Sequence, residues 1–217
     1  MRHRDPGDRE VLDGPERLDA VEGVDGDVAL AEEVGRRAGE RTVRRLDARK
    51  LKTMQVPVLF EASLASGLIG SFVGAVSGGS LYRKSSFLLD SLGKEIFAPF
   101  IQLQEQPHLK KGLASSPFDN EGVATKSRDV IRDGVLQGYF LSTYSARKLG
   151  MASTGNAGGS HNLILKDTGQ DFDALLKTMD RGLLVTELLG QGINPVTGDY
   201  SRCAAGFWVE GGNIQYP

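Results

Sequence analysis

The sequence is poor in the residues that bind metals or form disulfide bonds. It contains one cysteine, Cys203, and three histidines among 217 residues. A single cysteine excludes an internal disulfide and a cysteine cage for zinc, and it fits a reducing compartment. No two histidines stand at the i, i+4 spacing of a helical metal site. We therefore expect a cytoplasmic chain without a preformed metal site of its own.

A long apolar run and an excess of either charge are also missing. The most apolar stretch, Leu64–Val76, is shorter than the roughly 20 residues needed to span a bilayer. The first ten residues have no apolar core of the kind that a secretion signal needs. The 26 basic and 28 acidic residues leave a formal net charge of -2. We therefore expect neither a membrane nor a nucleic acid as partner.

The amino-terminal residues differ in composition from the rest of the chain. Residues 1–27 are rich in Asp, Glu, Arg and Gly, which predicts a disordered leader. In residues 28–46, apolar positions recur at near-helical spacing among arginines and glutamates, which predicts an amphipathic surface helix. We assign residues 28–50 to this helix and a linker, and residues 51–217 to the main domain.

The main domain begins with a strand signal followed by a helix rich in small residues. Val56–Phe60 predicts a short buried strand, and Glu61–Ser77 predicts the helix. Each glycine inside a helix costs about 1 kcal/mol relative to alanine, so we expect another element to pack tightly against the glycine face. The glycines of this face are Gly67, Gly70, Gly74 and Gly78.

Two tight turns predict β-hairpins in the second half. Asp133-Gly134 and Gly211-Gly212 each lie between two β-prone runs. A two-residue hairpin turn needs positive φ at both central positions, and these residue types tolerate it. The pattern indicates antiparallel strand pairs on both sides of each turn.

Further elements complete the predicted fold class. His161–Lys166 and Leu183–Leu188 are strand candidates, and Asp171–Met179 is a short helix with Asp171 as its N-cap and Gly182 just past its end. Strands therefore outnumber helices. We predict an α+β fold: a β-rich mixed or antiparallel sheet domain with the small-residue helix packed against it, after a disordered amino-terminal leader.

Four segments of unusual composition follow one another in this domain: Phe60–Ser85, Gly112–Val123, Tyr144–Gly159 and Thr186–Trp208. They closely resemble the PmbA (TldE) branch of the TldD/PmbA family, and the match extends from about Val34 to Pro217. The resemblance implies the carboxy-terminal half of a longer protein, with a further half before Val34 and at least one more strand after Pro217. Since unpaired strand edges favour association, we expect the isolated chain to be oligomeric or poorly soluble.

The resemblance also identifies a degenerate metal motif. In the catalytic branch, the helix after the first strand resembles H-E-x-x-x-H, in which two histidines bind zinc and the glutamate is the general base. The same positions here are Phe60, Glu61 and Ala65, and neither a benzyl ring nor a methyl group can bind a metal. We expect no metal bound by this chain and no firm catalytic residue. Glu61 is either a reused carboxylate or a buried or capping carboxylate at a helix start.

Helix geometry adds one expectation about this motif. Positions i and i+5 are about 140° apart on a regular α-helix, so a catalytic relative would need a local widening such as a π-bulge to bring both ligands together. Without a metal, the helix of this chain has no such requirement. We therefore predict a regular helix at this point.

Two glycine-rich loops are candidates for binding. Leu189–Arg202 is long and polar, and the resemblance implies a position near the active-site cleft or the subunit contact. Ser153–Gly159 either cradles an anion on backbone N–H groups or forms a tight connection before the next strand. Cys203, where the resemblance leads us to expect glycine, is predicted to be a small buried thiol. The candidate residues of the substrate cleft are Asn156, Gln191, Asn194, Asp199 and Tyr200.

The resemblance finally implies a function. We expect a PmbA/TldE-like subunit that lacks zinc ligands and pairs with a TldD-like subunit that binds the zinc, in a complex that degrades small unfolded peptides or proteins. Whether this chain is itself an enzyme stays open. One alternative is a metallopeptidase active on its own through unrecognised ligands. Another is a regulatory binding module of the DNA gyrase modulator type.

Overall fold

The structure is a computed structural model, and it describes residues 31–217. The predicted leader, residues 1–27, lies outside the described residues. Contacts divide the chain after Glu40 into a short amino-terminal unit and a unit of residues 41–217. The second unit contains both sheets and is the part that positions the candidate site.

The elements follow the chain in the order helix, strand, helix, helix and then mostly strands. The helices are α1 (Ala31–Val43), α2 (Ala62–Ala75), α3 (Gly78–Tyr82), α4 (Thr143–Leu149) and α5 (Phe172–Met179). The strands are β1 (Val58–Phe60), β2 (Leu103–Glu105), β3 (Arg128–Arg132), β4 (Val135–Leu136), β5 (Leu163–Leu165), β6 (Gly182–Leu189), β7 (Cys203–Glu210) and β8 (Asn213–Tyr216).

The first sheet has the strand order β1-β6-β7-β8. β1 pairs with β6 in parallel, and the other pairs are antiparallel. The predicted hairpin at Gly211-Gly212 is confirmed, with φ of 60° and 68° at its two central residues. The prediction that β1 is buried was wrong: it is an edge strand, and Val58 is 46% exposed.

Helix α5 covers one face of this sheet. Leu176 packs with Leu184, Phe207 and Val209 in a small core. The side chain of Asp171 accepts a hydrogen bond from the Ala174 N–H at 2.8 Å, so the predicted N-cap is confirmed.

The end of α5 differs from the prediction. Asp180 has a positive φ of 56° but a ψ of -60°, so the helix does not end in a left-handed glycine, and Gly182 is instead the first residue of β6. The Arg181 N–H donates to the Met179 carbonyl at 2.6 Å, so a tight three-residue turn around Asp180 ends the helix, and no glycine marks it in the sequence.

The second sheet has the order β4-β3-β2-β5 and is antiparallel throughout. Its β3–β4 turn confirms the predicted hairpin, with φ of 52° at Asp133 and 76° at Gly134. Strand β2 was not predicted, because three residues with a polar centre give no recognisable alternation. Its neighbours bury Leu103 completely against Ile131 and the rest of the main core.

The glycine face of α2 contradicts the expected tight packing. A Cβ placed on Gly67, Gly70 or Gly74 would meet no other atom within 4 Å among the described residues. Only Gly78, at the start of α3, is closely packed, since its Cβ would lie 2.2 Å from the Ser145 Oγ. The apolar face of α2, with Phe72 buried, packs into the main core, so the glycine face is left open.

No helix within residues 31–217 combines the length and apolar character needed to cross a bilayer.

Candidate functional site

The degenerate metal motif lies where β1 passes into α2. Phe60 is the last residue of β1, and the Glu61 N–H continues the sheet by donating to the Val185 carbonyl at 2.9 Å. The Ala65 N–H donates to the Glu61 carbonyl at 3.0 Å, which is an ordinary i, i+4 bond. The predicted regular helix is therefore confirmed.

This geometry corrects the argument about a π-bulge. The first motif position, Phe60, is on a strand and the third, Ala65, is on the helix. The angle between residues i and i+5 of one helix does not apply to this pair, because the chain turns between them. A strand-to-helix junction can present both positions to one point without widening the helix.

Glu61 is held by an arginine instead of capping the helix. It occupies the N-cap position of α2 but makes no side-chain capping bond. The Nη2 of Arg41 donates to both of its carboxylate oxygens, at 2.6 and 2.5 Å. The Glu61 side chain is 30% exposed. The alternative of a buried or capping carboxylate was wrong, since Glu61 is partly exposed, makes no capping bond and has its charge balanced by Arg41. The alternative of a reused carboxylate stays a prediction.

A second ion pair repeats the arrangement next to the first. Arg45, one helical turn after Arg41, pairs with Glu187 on β6, where the register with β7 shifts between Val185 and Glu187. The motif strand β1 and its neighbour β6 therefore each have a glutamate paired with an arginine, Glu61 just after β1 and Glu187 within β6. The sequence did not predict that Arg41 and Arg45 form these ion pairs, because the segment is rich in both charges and its arginines were assigned to a solvent-exposed helix face.

The residues at this junction do not fit a zinc ion. Phe60 and Ala65 offer no lone pair, and the Arg41 guanidinium on Glu61 would repel a divalent cation. Within residues 31–217, no three His, Cys, Asp or Glu side chains are grouped as a metal site. His108 instead contacts the Thr125 Oγ1 at 3.0 Å.

The lone cysteine does not add a ligand to this site. Cys203 is exposed, so the prediction of a buried thiol was wrong. It lies at the start of β7, beside the polar loop, where no core covers it.

An apolar cleft of about 660 Å³ lies between α2 and the loop that precedes β7. Asn194 and Tyr200 of the predicted cleft residues line it, together with Phe72, Phe87 and Phe97. The cleft can take up an apolar side chain of a ligand, because its walls are mostly aromatic and aliphatic.

The polar side chains of this loop shape the loop itself. The Asn194 Oδ1 accepts from the Val196 N–H at 3.0 Å, and the Asp199 Oδ2 accepts from the Thr197 Oγ1 at 2.6 Å. The fourth loop candidate, Gln191, is exposed. A role of these residues in binding substrate stays a prediction.

Asn156 belongs to a different place in the fold. It is 6% exposed, and its Nδ2 donates to the Glu105 Oε1 at 2.7 Å. The Arg128 Nη2 donates to its Oδ1 at 3.1 Å, and Arg128 also pairs with Glu105 at 2.7 Å. The structure therefore does not bring Asn156 into one cavity with the four loop residues. Its amide completes a buried polar network, and it lines a second, smaller pocket.

A buried carboxylate fixes the turn beside this second pocket. Asp119 is 5% exposed and accepts the N–H groups of Glu121, Val123 and Ala157 at 2.9 to 3.0 Å. Burial opposes ionisation of this carboxyl, but the three backbone N–H groups outweigh it, and the pKa of Asp119 falls below its usual value of 3.8. The sequence predicted only a turn here.

The lowered pKa of Asp119 makes stability depend on pH. Because the folded pKa lies below the unfolded value, the contribution is complete above pH 3.8 and is lost as pH falls through the folded pKa. We expect Asp119→Asn to lower the free energy of unfolding by about 2 kcal/mol at pH 7, since an amide NH2 would face the Ala157 N–H. The difference in unfolding free energy between the Asp119→Asn variant and the unsubstituted protein should disappear at low pH.

Urea unfolding of both proteins at pH 7 and at successively lower pH measures this gap. An Asp119→Asn gap of the same size at every pH would contradict the assignment. Exposed Asp173, which is in the first turn of α5, provides a matched Asp173→Asn control.

Comparison with known proteins agrees with this geometry. Residues 53–217 match the sequence family of the PmbA/TldA metallopeptidase C-terminal domain. Metalloprotease PmbA of Escherichia coli is 57% identical over 191 residues, which cover 88% of this chain and 42% of that protein.

Two solved structures share the fold. A crystal structure of a proposed modulator of DNA gyrase from Bacteroides thetaiotaomicron has a TM-score of 0.80 at 34% identity, covering 84% of this chain and 41% of that chain. TldE from Thermococcus kodakarensis has a TM-score of 0.70 at 26% identity, covering 84% and 44%. The chain thus spans about two fifths of the length of these relatives. It belongs to the PmbA/TldD metallopeptidase family, of which it contains the carboxy-terminal domain.

Proposed function

We propose that this chain is a PmbA/TldE-like subunit of a two-subunit zinc metallopeptidase in the cytoplasm, and that it does not bind the zinc itself. One observation carries the proposal: Arg41 neutralises Glu61, between two motif positions that have no metal-binding atom. A TldD-like partner would supply the zinc. The substrate class is small unfolded peptides or proteins.

The chemistry of amide hydrolysis explains why one subunit would bind the zinc and the other would not. Zinc lowers the pKa of a bound water to about 7 and polarises the scissile carbonyl, and three protein ligands must leave room for that water. The motif at Phe60, Glu61 and Ala65 lacks the two histidine ligands, so a general base at Glu61 would have no metal-bound water from which to take a proton. Its contribution to the complex is therefore binding and assembly.

The first sheet supports a role in binding extended peptides. β1 is an edge strand within the described chain, and one side of it is unpaired. A peptide can add a strand to such an edge through main-chain hydrogen bonds, with little demand on its sequence. The apolar cleft of about 660 Å³ at α2 can accept an apolar side chain. Unfolded peptides expose both main chain and apolar side chains.

Metal analysis and peptidase assays test the proposal. We expect the isolated chain to contain substoichiometric zinc and to leave an unfolded test peptide intact. The same peptide should be cleaved after addition of a TldD-like subunit, and a chelator should stop the cleavage. Glu61→Gln in this chain should leave that rate unchanged, because the chemistry occurs in the partner.

Two results would contradict the proposal. Zinc at one equivalent per isolated chain would show ligands that the motif lacks. Chelator-sensitive cleavage by the isolated chain, abolished by Glu61→Gln, would make it a peptidase in its own right.

A regulatory role is the second candidate, because the Bacteroides relative is described as a modulator of DNA gyrase. Co-purification with a gyrase subunit in the absence of any TldD-like protein would favour this role over the first. The formal net charge of -2 gives no support for direct contact with DNA.

A further inference from the structure

A second pocket, of about 350 Å³, lies between α3, α4 and the glycine-rich loop. Its volume suits one or two side chains of a ligand. Hydroxyl groups from several elements face it, so it is polar as well as small. Residues that line it include Ser77, Tyr82, Ser142, Tyr144, Gly159 and Ser160.

Two tyrosines in the pocket wall each hold a cation. The rings of Tyr82 and Tyr144 meet edge to face, with centroids 5.6 Å apart. The Arg83 guanidinium lies 5.2 Å from the Tyr82 centroid, and the Lys148 Nζ lies 5.7 Å from the Tyr144 centroid. Arg83 also donates from Nη1 to the Tyr82 Oη at 3.1 Å. Neither cation lines the pocket itself, but each lies against a tyrosine ring that does.

Arg83 and Lys148 form no ion pair with any of residues 31–217. Arg83 and Lys148, and their sequence neighbours Lys84 and Arg147, are exposed. The ion pairs of residues 31–217 are formed by other arginines, six in all. The positive charge at the pocket is therefore available to a ligand.

Two carboxylates lie near the same pocket, and both are bonded to backbone. The Glu121 Oε2 accepts the Thr143 N–H at the start of α4 at 2.7 Å. Asp119 is buried and accepts three backbone N–H groups, including that of Ala157. The oxygens of both carboxylates are thus engaged by backbone N–H groups, whereas Arg83 and Lys148 have no carboxylate partner within residues 31–217.

We propose that this pocket and its two tyrosine-held cations bind acidic side chains of a peptide. A carboxylate fits the donors at the wall, since charge-assisted bonds from Arg and Lys to carboxylates are the strong ones. The Tyr82 hydroxyl, which accepts a hydrogen bond from Arg83, and the Ser160 hydroxyl can donate to the remaining lone pairs. The proposal deepens the proposed function, because it gives the unfolded peptide substrate a preference for Asp and Glu near one position.

A peptide fits better than a single-stranded nucleic acid. Binding of single strands relies on bases that stack on free aromatic faces. Here one face of each tyrosine ring is covered by a cation, and each ring also contacts the other. The pocket is too small for an extended row of bases, whereas a carboxylate on a short stem can enter it.

Fluorescence anisotropy with the full 217-residue chain tests the proposal. The probes are two labelled octapeptides with blocked ends, one alternating Glu and Ala and the other Gln and Ala. We expect the Glu peptide to bind roughly ten-fold more tightly than the Gln peptide. This advantage should shrink as salt is raised, because exposed charges are screened within about 10 Å at 0.1 M salt.

Substitutions separate the site from overall charge. We expect the double variant Arg83→Gln, Lys148→Gln to remove most of the preference for the Glu peptide. The double variant Lys166→Gln, Lys177→Gln removes the same charge from exposed positions elsewhere and should retain the preference. Ser160→Phe keeps every cation but fills the pocket, and it should also weaken binding of the Glu peptide. Circular dichroism checks that each variant is folded.

Three outcomes would overturn the proposal. They are equal binding of the two peptides, an equal loss in both double variants, and tighter binding of a single-stranded oligodeoxynucleotide than of the Glu peptide. Failure of the proposed function can be told apart from failure of this proposal, because the first is measured by zinc content and peptide cleavage with a TldD-like subunit and the second by peptide binding. If the chain binds the Glu peptide but activates no TldD-like subunit, the binding site stands and the proposed two-subunit complex does not.

Discussion

Replacing Arg128 by alanine is expected to lower the free energy of unfolding by about 3 kcal/mol, because removal of one partner leaves a buried charge uncompensated. Its partner, the Glu105 side chain, is 1% exposed, and the Glu105 Oε2 accepts a hydrogen bond from the Arg128 Nε at 2.7 Å. Arg128 also donates to the Tyr139 carbonyl and to Asn156. Urea unfolding of the two proteins measures the difference.

A neighbouring residue of the same strand provides the control. Arg132 pairs with Asp129, but its side chain is 60% exposed. Exposed ion pairs contribute about 0 to 1 kcal/mol. The partner Asp129 is 19% exposed but keeps a hydrogen bond from the Gln104 Nε2, so Arg132→Ala should cost clearly less than Arg128→Ala. Equal losses in the two variants would show that burial of the Glu105 network does not decide the effect.

Gly206→Ala should be similarly severe, for a steric reason. A Cβ on Gly206 would lie 1.9 Å from the Leu184 carbonyl oxygen and 2.9 Å from the Val185 Cα. Backbone atoms in the middle of a sheet cannot move aside as a flexible side chain does. We expect a loss of about 3 kcal/mol in the free energy of unfolding, at the upper end of the range for overpacked cores.

The open glycine face of α2 provides the matched comparison. A Cβ on Gly70 would meet nothing within 4 Å, so Gly70→Ala should raise stability by about 1 kcal/mol through helix propensity alone. Thermal unfolding followed by circular dichroism measures both variants. A stable Gly206→Ala protein, or a destabilised Gly70→Ala protein, would contradict the packing described for these two positions.

The sequence predicted those elements whose cause is local. The hairpins at Asp133-Gly134 and Gly211-Gly212 were predictable because positive φ is a property of two adjacent residues. The N-cap at Asp171 was predictable for the same reason. Tertiary contacts decided what was missed: β2 is too short to show a period, and the exposure of β1 depends on its place at the sheet edge.

The candidate site was predicted in part. The residue types at Phe60, Glu61 and Ala65 indicate the loss of metal binding without any coordinates. Arg41 was not predicted as the partner of Glu61, because the two residues are far apart in sequence and arginine on a charged helix is usually solvated. Asn156 was selected with the loop residues because all are polar, but only coordinates could show that it faces Glu105.

The parallel pairing of β1 with β6 has a consequence for how the protein folds. Four helices and the whole second sheet lie between these two strands in the chain. Closing so long a loop costs chain entropy before any contact between the two strands offsets it. Folds dominated by contacts between residues far apart in sequence therefore form slowly. During synthesis, β1 leaves the ribosome well before its neighbour exists. The second sheet, whose strands all lie within that interval, can nucleate first, and the edge beside Glu61 is then among the last parts to assemble.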